Sequence, residues 1–438
     1  RINIPLVLYD DGGDRRCPSW NLVAGYPDFR RAPPVTLKMI WFPAATFGLV
    51  LLWIAVQATP WTPPAWHNPV WQETATLLGI ELPGAIAINP HAAETALMRL
   101  LTYAGIFWLA LQYGRSSNRA KQIFYVVAFS GLVYALYGLL IEFTGSQTIL
   151  WYEKLNYKDN LTSTFRYKNA YATYAGLGLV ATVALLVRAL GRDDYSLMGP
   201  NERLRSLLTL IFEKIWPLVV AFVVIVSALL LSDSRGGFLS TLIALLVFAI
   251  LLRLSRRKSL PYGRTYFAII SAAGIFFVSL SGGAIFDRFA ATDQHDIRTR
   301  IYNNTADAIA DRPLSGWGTN NFENVFARYQ DWTFSTRTIR AHNEYLDNAL
   351  GMGIPATGLL FVSLLSIGVL CFRGVRRRQR DNFYPAAGVA LIVLVGVHSL
   401  SDFTMQVPAV AATFALLAGV CCAQAWSSLV RRIAKTGT

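Results

Sequence analysis

Charged residues make up only 15% of this 438-residue chain, and acidic ones are the scarcer kind, with 26 Asp and Glu against 40 Lys and Arg. Cysteine is limited to four residues and histidine to five. The four thiols, Cys17, Cys371, Cys421 and Cys422, all fall on or near the side expected to be cytoplasmic and none in an exported loop, so no structural disulfide and no cysteine-based metal site is expected. Walker, Rossmann and HExxH patterns are missing, which removes the common nucleotide-binding and zinc-hydrolase readings. There are no internal repeats, heptads or low-complexity tracts either. No leader with a short apolar core precedes Lys38, so the first apolar span is expected to act as an uncleaved anchor.

Apolar residues, by contrast, form 54% of the chain. A helix crossing a bilayer needs about 20 mostly apolar residues. Stretches centred near Val50, Tyr103, Leu132, Gly178, Ile225, Leu246, Gly274, Leu364, Leu391 and Phe414 therefore predict about ten spans. The expected fold is all-α, a polytopic transmembrane helix bundle with a folded, partly helical exported loop. Residues 1–37 read as a cytoplasmic tail and 38–438 as the membrane domain, with the major loop at 282–344. A net charge of +14 suggests nucleic acid until its distribution is followed. Lys and Arg gather in every second connection: Arg115 to Lys121, Arg188 to Arg205, Arg256 to Arg264, Arg373 to Arg380 and Arg431 to Lys435. That is the positive-inside pattern, with both termini cytoplasmic, and it leaves nucleic acid without support.

The longest polar run, Gly282 to Gly353, carries seven arginines on the side where that rule does not expect them. Within it, Ile297 to Ala310 reads as an amphipathic helix stopped by Pro313. Gly316-Trp317-Gly318 reads as a turn, because Gly tolerates positive φ. A second helix follows, with Asn320 as its N-cap and Glu323 three residues on. Its apolar face is Phe322, Val325, Phe326 and Tyr329. Arg340-Ala-His342 then stands just before the next span.

More cations face the same side. Arg99 falls just inside the second span, where it either serves a ligand or snorkels to the interface. Phe165-Arg166-Tyr167-Lys168-Asn169 brings two cations to a helix start, where they oppose the helix dipole unless an anion binds there. Asp233-Ser234-Arg235-Gly236-Gly237 joins the fifth and sixth spans. Arg235 either holds an anion beside exposed backbone N–H groups or pairs with Asp233. His398 and Asp402 are expected to share a structural hydrogen bond. Arg99, Arg166, Lys168, Arg235, Arg340 and His342 together suit a lipid-linked diphosphate, its tail between helices. Arginines would stabilise the departing diphosphate, and His342, kept neutral by a helix start, would serve as base. A metal needs three or more convergent ligands, and only Glu344 and Asp347 lie near His342, so none is expected.

Five pieces now fall into one pattern. They are Phe165 to Asn169, Ser234-Arg235-Gly236-Gly237, Pro313-Leu-Ser-Gly-Trp-Gly318 with Phe322, His342-Asn-Glu-Tyr-Leu346 with Gly351 and Gly353, and Ser399-Leu-Ser-Asp-Phe403. In this order the chain resembles the bacterial O-antigen ligase and O-antigen polymerase superfamily. The resemblance implies an inverting, metal-independent membrane glycosyltransferase that needs no cofactor. Such an enzyme moves a glycan from undecaprenyl diphosphate at the periplasmic face of the inner membrane. It implies Arg235 on the diphosphate and His342 on the acceptor, with Arg340, Arg166, Lys168, Asn169, Arg99 and Tyr345 binding substrate around them. The implied partners are an undecaprenyl-diphosphate-linked glycan donor, a glycan or lipid A–core acceptor, membrane lipids and a chain-length regulator. Polymerisation of O-antigen or exopolysaccharide repeat units is the expected reaction, with O-antigen ligation to lipid A–core or a protein as the alternative. A lipid-linked glycan transporter is the rival from another class. Transporters place polar groups near the bilayer midplane, and these spans carry almost none there.

Overall fold

The computed structural model describes residues 35–190, 199–255, 292–330, 334, 337–378 and 380–426. The expected tail, apart from its last residues, and the span centred on Gly274 lie outside them. The first helices are α1 (Trp41–Ala58), α2 (Pro69–Leu78), α3 (Pro90–Tyr113), α4 (Ser117–Phe143) and α5 (Lys168–Leu190). Then come α6 (Pro200–Thr209), which runs through a π-helical stretch into α7 (Trp216–Leu231), and α8 (Arg235–Leu254). The loop contributes α9 (Thr292–Asp311) and the short α10 (Phe322–Phe326). The chain closes with α11 (Glu344–Arg377), α12 (Phe383–His398) and α13 (Pro408–Ala423). A two-stranded hairpin, Thr148–Ile149 with Tyr152–Glu153, caps the α4–α5 connection.

Among the described residues, seven helices are long and apolar enough to cross a membrane: α1, α3, α4, α5, α7, α8 and α11. That is fewer than the expected ten. Part of the difference is that α12 and α13 are apolar but only 16 residues long each, their ends cut by polar turns. The remaining candidate is the one outside the described residues.

Helix α5 is the centre of the bundle. Its apolar window is 94% buried, where the other long helices bury less than half. A helix apolar on all sides belongs inside, and α5 is built from residues small enough to let neighbours close on it. Gly178 meets Gly131 of α4 so closely that an added Cβ would sit 3.3 Å from the facing Cα. Gly176 leaves room for Thr241 of α8 and Leu394 of α12.

Alternate connections share an end of this bundle. At one end Arg378 donates to Gln424, Gln424 donates to the carbonyl of Gly114 at 2.5 Å, and the Tyr384 hydroxyl donates to Ser117 O at 3.1 Å. The basic connections that follow α3 and α11 meet there. The opposite end, called the loop end below, holds the first residues of α3, α5, α8, α11 and α13.

The loop docks on a break in α11. Gly353 has φ +81° and Pro355 follows it, so the carbonyls of Leu350, Gly351 and Met352 lose their helical partners. Buried carbonyls need donors, and the loop and α1 provide them. Trp317 N donates to Leu350 O and Gly318 N to Gly351 O, both at 2.9 Å. The Trp53 indole donates to Met352 O at 2.8 Å, and the Gln57 amide donates to Gly351 O at 3.0 Å and to Ser315 O at 2.7 Å. Gly316, at φ +66°, lies against Gly351 where no side chain would fit. The two glycine-containing motifs are therefore halves of one joint.

Above the joint a small separate core forms from Ile301, Ile309, Trp317, Phe322, Val325 and Phe326. The apolar face expected for α10 is the one buried, but its cap is not the one expected. Asn321 precedes the helix without a side-chain cap bond. Asn320, at φ +63°, instead accepts a hydrogen bond from Arg340 at 2.6 Å.

Candidate active site

The turn between α7 and α8 begins the site. Ser234 caps α8, its hydroxyl accepting from Gly237 N at 3.3 Å. That bond takes the N–H proposed for an anion, so the glycines serve another purpose. A Cβ on Gly237 would collide with Ala172 of α5, and one on Gly236 would lie 2.8 Å from Ser401 Oγ and 3.2 Å from the His398 ring. Gly236-Gly237 let α8 press against α5 and the 399–407 turn. Asp233 pairs with Lys168 at 3.1 Å, not with Arg235. Among the described residues Arg235 has no ion pair or hydrogen bond, which leaves its guanidinium available.

From this turn a chain of bonds runs to His342. Ser234 Oγ donates to Asn169 Oδ1 at 2.7 Å, and Asn169 Nδ2 donates to Asp402 Oδ2. The other oxygen, Asp402 Oδ1, accepts from Phe403 N at 2.8 Å and stands 3.4 Å from His342 Nδ1. At 3.4 Å the imidazole contact is an ion-pair separation, not a tight hydrogen bond. His342 has φ +52°, a left-handed conformation that His tolerates better than most residues. Its carbonyl accepts from Tyr302 at 3.1 Å, and its ring meets Phe403 edge-on at 5.1 Å between centroids.

Burial by itself would raise the Asp402 carboxyl, but His342, Phe403 N and Asn169 outweigh it and hold it below the usual carboxylate value. A carboxylate only accepts, so it selects the tautomer with the proton on His342 Nδ1. Nε2 is left as an acceptor, the form a general base needs. The carboxylate beside the His342 ring is that of Asp402, which the sequence alone did not bring to it. His398 does not pair with Asp402 through side chains: its Nδ1 lies 2.7 Å from Thr173 Oγ1, inside the bundle.

Two tyrosines and one more arginine face this cluster. Burial first, and then the Asp402 charge, push the Tyr157 hydroxyl up, while Arg298 opposes the shift. The same three influences act on Tyr302, with Arg298 ahead of Asp402. Arg298 on α9 is exposed and acts electrostatically on both tyrosines, and sequence reasoning did not single it out. Its signal was available as one of seven arginines in a loop that should carry few.

The remaining expected residues divide. Lys168 lies over the Tyr157 ring at 5.8 Å as well as on Asp233, and Arg166 lies over Tyr167 at 5.7 Å, close to Asn169 along the chain. Arg340 is committed to Asp347 at 3.3 Å and to Asn320. Tyr345 stacks on Phe361 at 4.4 Å and donates to Gly396 O at 3.0 Å. Arg99 is not brought to Arg235. It lines an apolar cavity of about 850 Å³ among α1, α3, α11, α12 and α13, together with Tyr103, Phe107, Asn320 and Glu344. Neither Arg235 nor His342 lines this cavity, whose wall includes Ser399, Met405 and Gln406 of the 399–407 turn. Among the described residues no group of three or more His, Cys, Asp or Glu side chains is placed to hold a metal ion.

Fold and site together define a polytopic helical membrane protein with a histidine–carboxylate pair beside an arginine-bearing turn at one end. Residues 220–362 match the family model described as O-antigen ligase, and this match supports the resemblance to the O-antigen ligase and polymerase superfamily. The matched segment begins in α7, carries Arg235 and His342, and ends within α11, so Asn169 and Asp402 join the site from outside it. No curated protein matches the chain.

Proposed function

We propose that this protein transfers a glycan from a polyprenyl diphosphate, undecaprenyl diphosphate being the expected carrier, to an acceptor hydroxyl at the periplasmic face. The observation that carries the reading is the path Ser234–Asn169–Asp402, two hydrogen bonds that end in a 3.4 Å contact between Asp402 and His342 Nδ1 and so tie the Arg235 turn to the proposed base. His342 Nε2 takes the proton of the acceptor hydroxyl as its oxygen attacks the anomeric carbon. The bond from that carbon to the diphosphate breaks, and its electron pair leaves with the diphosphate oxygen. Arg235, supported by Lys168, Arg166 and Arg298, offsets the charge that develops there. Attack opposite the leaving group inverts the anomeric centre, and no step draws on a metal. The apolar cavity suits the hydrocarbon tail of a lipid-linked substrate.

Polymerisation of repeat units is the proposed outcome, with ligation to lipid A–core as the alternative acceptor chemistry. The test supplies purified protein with a polyprenyl-diphosphate oligosaccharide, alone or with lipid A–core. Lengthened glycan on the lipid carrier supports polymerisation, and glycan on lipid A–core supports ligation. Arg235→Lys keeps the charge but loses the planar fork of donors, and transfer should fall about 10²-fold or more. Absence of transfer to either acceptor by the folded wild type would refute the proposal.

A further inference from the structure

Two buried carboxylates open α11, and the proposed reaction uses neither. Glu344 is 3% exposed and Asp347 5%. A buried carboxylate is costly unless its oxygens are bonded, so the bonds they make indicate their purpose. Asp347 holds the segment that leads into His342, accepting from Arg340 Nη1 at 3.3 Å and from Ala341 N at 3.4 Å. Glu344 points to the other half of the dyad. Its Oε1 accepts from Met405 N at 3.0 Å, and its Oε2 accepts from Gln406 Nε2 at 3.2 Å and from Asn348 Nδ2 at 3.3 Å.

The backbone adds two further ties. Glu344 N donates to Ser399 O at 2.9 Å, and Asn343 Nδ2 donates to Leu400 O at 3.1 Å. The turn is thus fastened before and after Asp402 to the residues that immediately follow His342. We propose that Glu344 is a positioning residue that sets the distance between the Asp402 carboxylate and the His342 imidazole. This rests on the assignment of His342 and Asp402 under the proposed function.

The chemistry of the contact calls for an acceptor at this position. Three donors converge on Glu344, and a carboxylate is the side chain that only accepts. Glu344 itself borders the apolar cavity, which His342 does not line, so it acts on the reacting groups through Asp402. The His342–Asp402 contact at 3.4 Å has little tolerance for a longer separation. A shift of about 1 Å in such a pair costs roughly 10²-fold in rate.

The experiment measures glycan transfer by the full-length protein in membranes, with donor KM and kcat resolved, for Glu344→Ala, Glu344→Gln, His342→Ala, Asp402→Asn and the Glu344→Ala/Asp402→Asn double variant. Glu344→Ala should lower kcat roughly 10²-fold with donor KM little changed. Glu344→Gln should recover most of that loss, because its Oε1 still accepts from Met405 N and Gln406 can turn its amide to accept the new N–H. In the Asp402→Asn background, Glu344→Ala should add less than about twofold, the mark of residues acting as one unit. A full, additive loss in that background would make Glu344 merely structural and overturn the proposal, as would an unchanged kcat in Glu344→Ala. If Glu344→Ala does not accumulate, Gln406→Ala, which removes one of the three donors, enters the same cycle with the same two outcomes. Retained transfer by His342→Ala and Asp402→Asn would instead overturn the function on which the proposal rests.

Discussion

Asp402→Asn changes one atom and should remove most of the transfer activity. In the native site both carboxylate oxygens are used: Oδ2 accepts from Asn169, while Oδ1 accepts from Phe403 N and faces His342 Nδ1. An amide must put its NH₂ at one of these places. On the Oδ2 side it meets the Asn169 amide donor, and Asn169 cannot turn without giving up its bond from Ser234. On the Oδ1 side it meets Phe403 N–H and donates to His342 Nδ1, which forces the imidazole proton onto Nε2. The base is then the wrong tautomer, with its proton where the acceptor hydroxyl should deliver one. General-base catalysis contributes about 10²–10⁴-fold, so losing it corresponds to roughly 3–5 kcal/mol of barrier at 1.36 kcal/mol per tenfold. We expect kcat to fall by about 10² or more, with donor affinity retained because Arg235 is untouched. The assay is transfer from a lipid-linked oligosaccharide in membranes matched for protein level, with donor binding measured in parallel. A kcat near wild type in Asp402→Asn would refute the claim that this carboxylate sets the state of His342.

Three further expectations follow from other parts of the structure. Gly353→Ala forces a side chain to φ +81° against the carbonyl of Leu314; at about 1–3 kcal/mol of strain, the loop should undock, read as faster proteolysis between Arg328 and Arg340. If the loop end is periplasmic, Leu155→Cys should react with an impermeant thiol reagent in spheroplasts and Arg380→Cys should not. Cys17 would be replaced first, since Cys371, Cys421 and Cys422 are already buried. The depressed Asp402 carboxyl stabilises the fold fully above its unfolded value of about 4. That contribution is lost as pH falls through the lower folded value, so thermal midpoints should drop more steeply towards pH 3 in the wild type than in Asp402→Asn.

Much of the fold could be read from spacing because spacing is where membrane and helix physics write themselves. Long apolar runs give α1, α4, α5 and α11, and the period of Phe322, Val325, Phe326 and Tyr329 gives the buried face of α10. The paired glycines at Gly316–Gly318 and Gly351–Gly353 could each be recognised as special, but not as one joint, because a broken helix and the turn that mends it are separated by a whole loop. The dyad had the same difficulty. His342 stood out as a rare residue beside arginines, while Asp402 had a nearer candidate partner in His398. Helical spacing favoured that pair, and tertiary packing sent His398 inward to Thr173 instead. Asn320 failed as a cap for a related reason, since Arg340 had a stronger use for its carbonyl oxygen.

The placement of charge around the 399–407 turn bears on where each part of a substrate belongs. On the cavity side Arg99, Glu344 and Asp347 line the wall and Arg340 is paired with Asp347, so acidic and basic groups balance there. On the dyad side Lys168 is paired, but Arg235 has no partner among the described residues and Arg298 is exposed beside Tyr157 and Tyr302. A diphosphate crossing to the cavity side would meet Glu344 and Asp347 in a low dielectric, where like charges repel most strongly, with Arg99 as the one cation of the wall to oppose them. On the dyad side it meets guanidinium groups that can take it bidentately. The hydrocarbon has the opposite preference, since the cavity is lined almost wholly by apolar side chains. Under the proposed function the turn would divide a lipid compartment from an anion compartment, with Asp402 on the turn itself and Glu344 fastened to it through Met405 N.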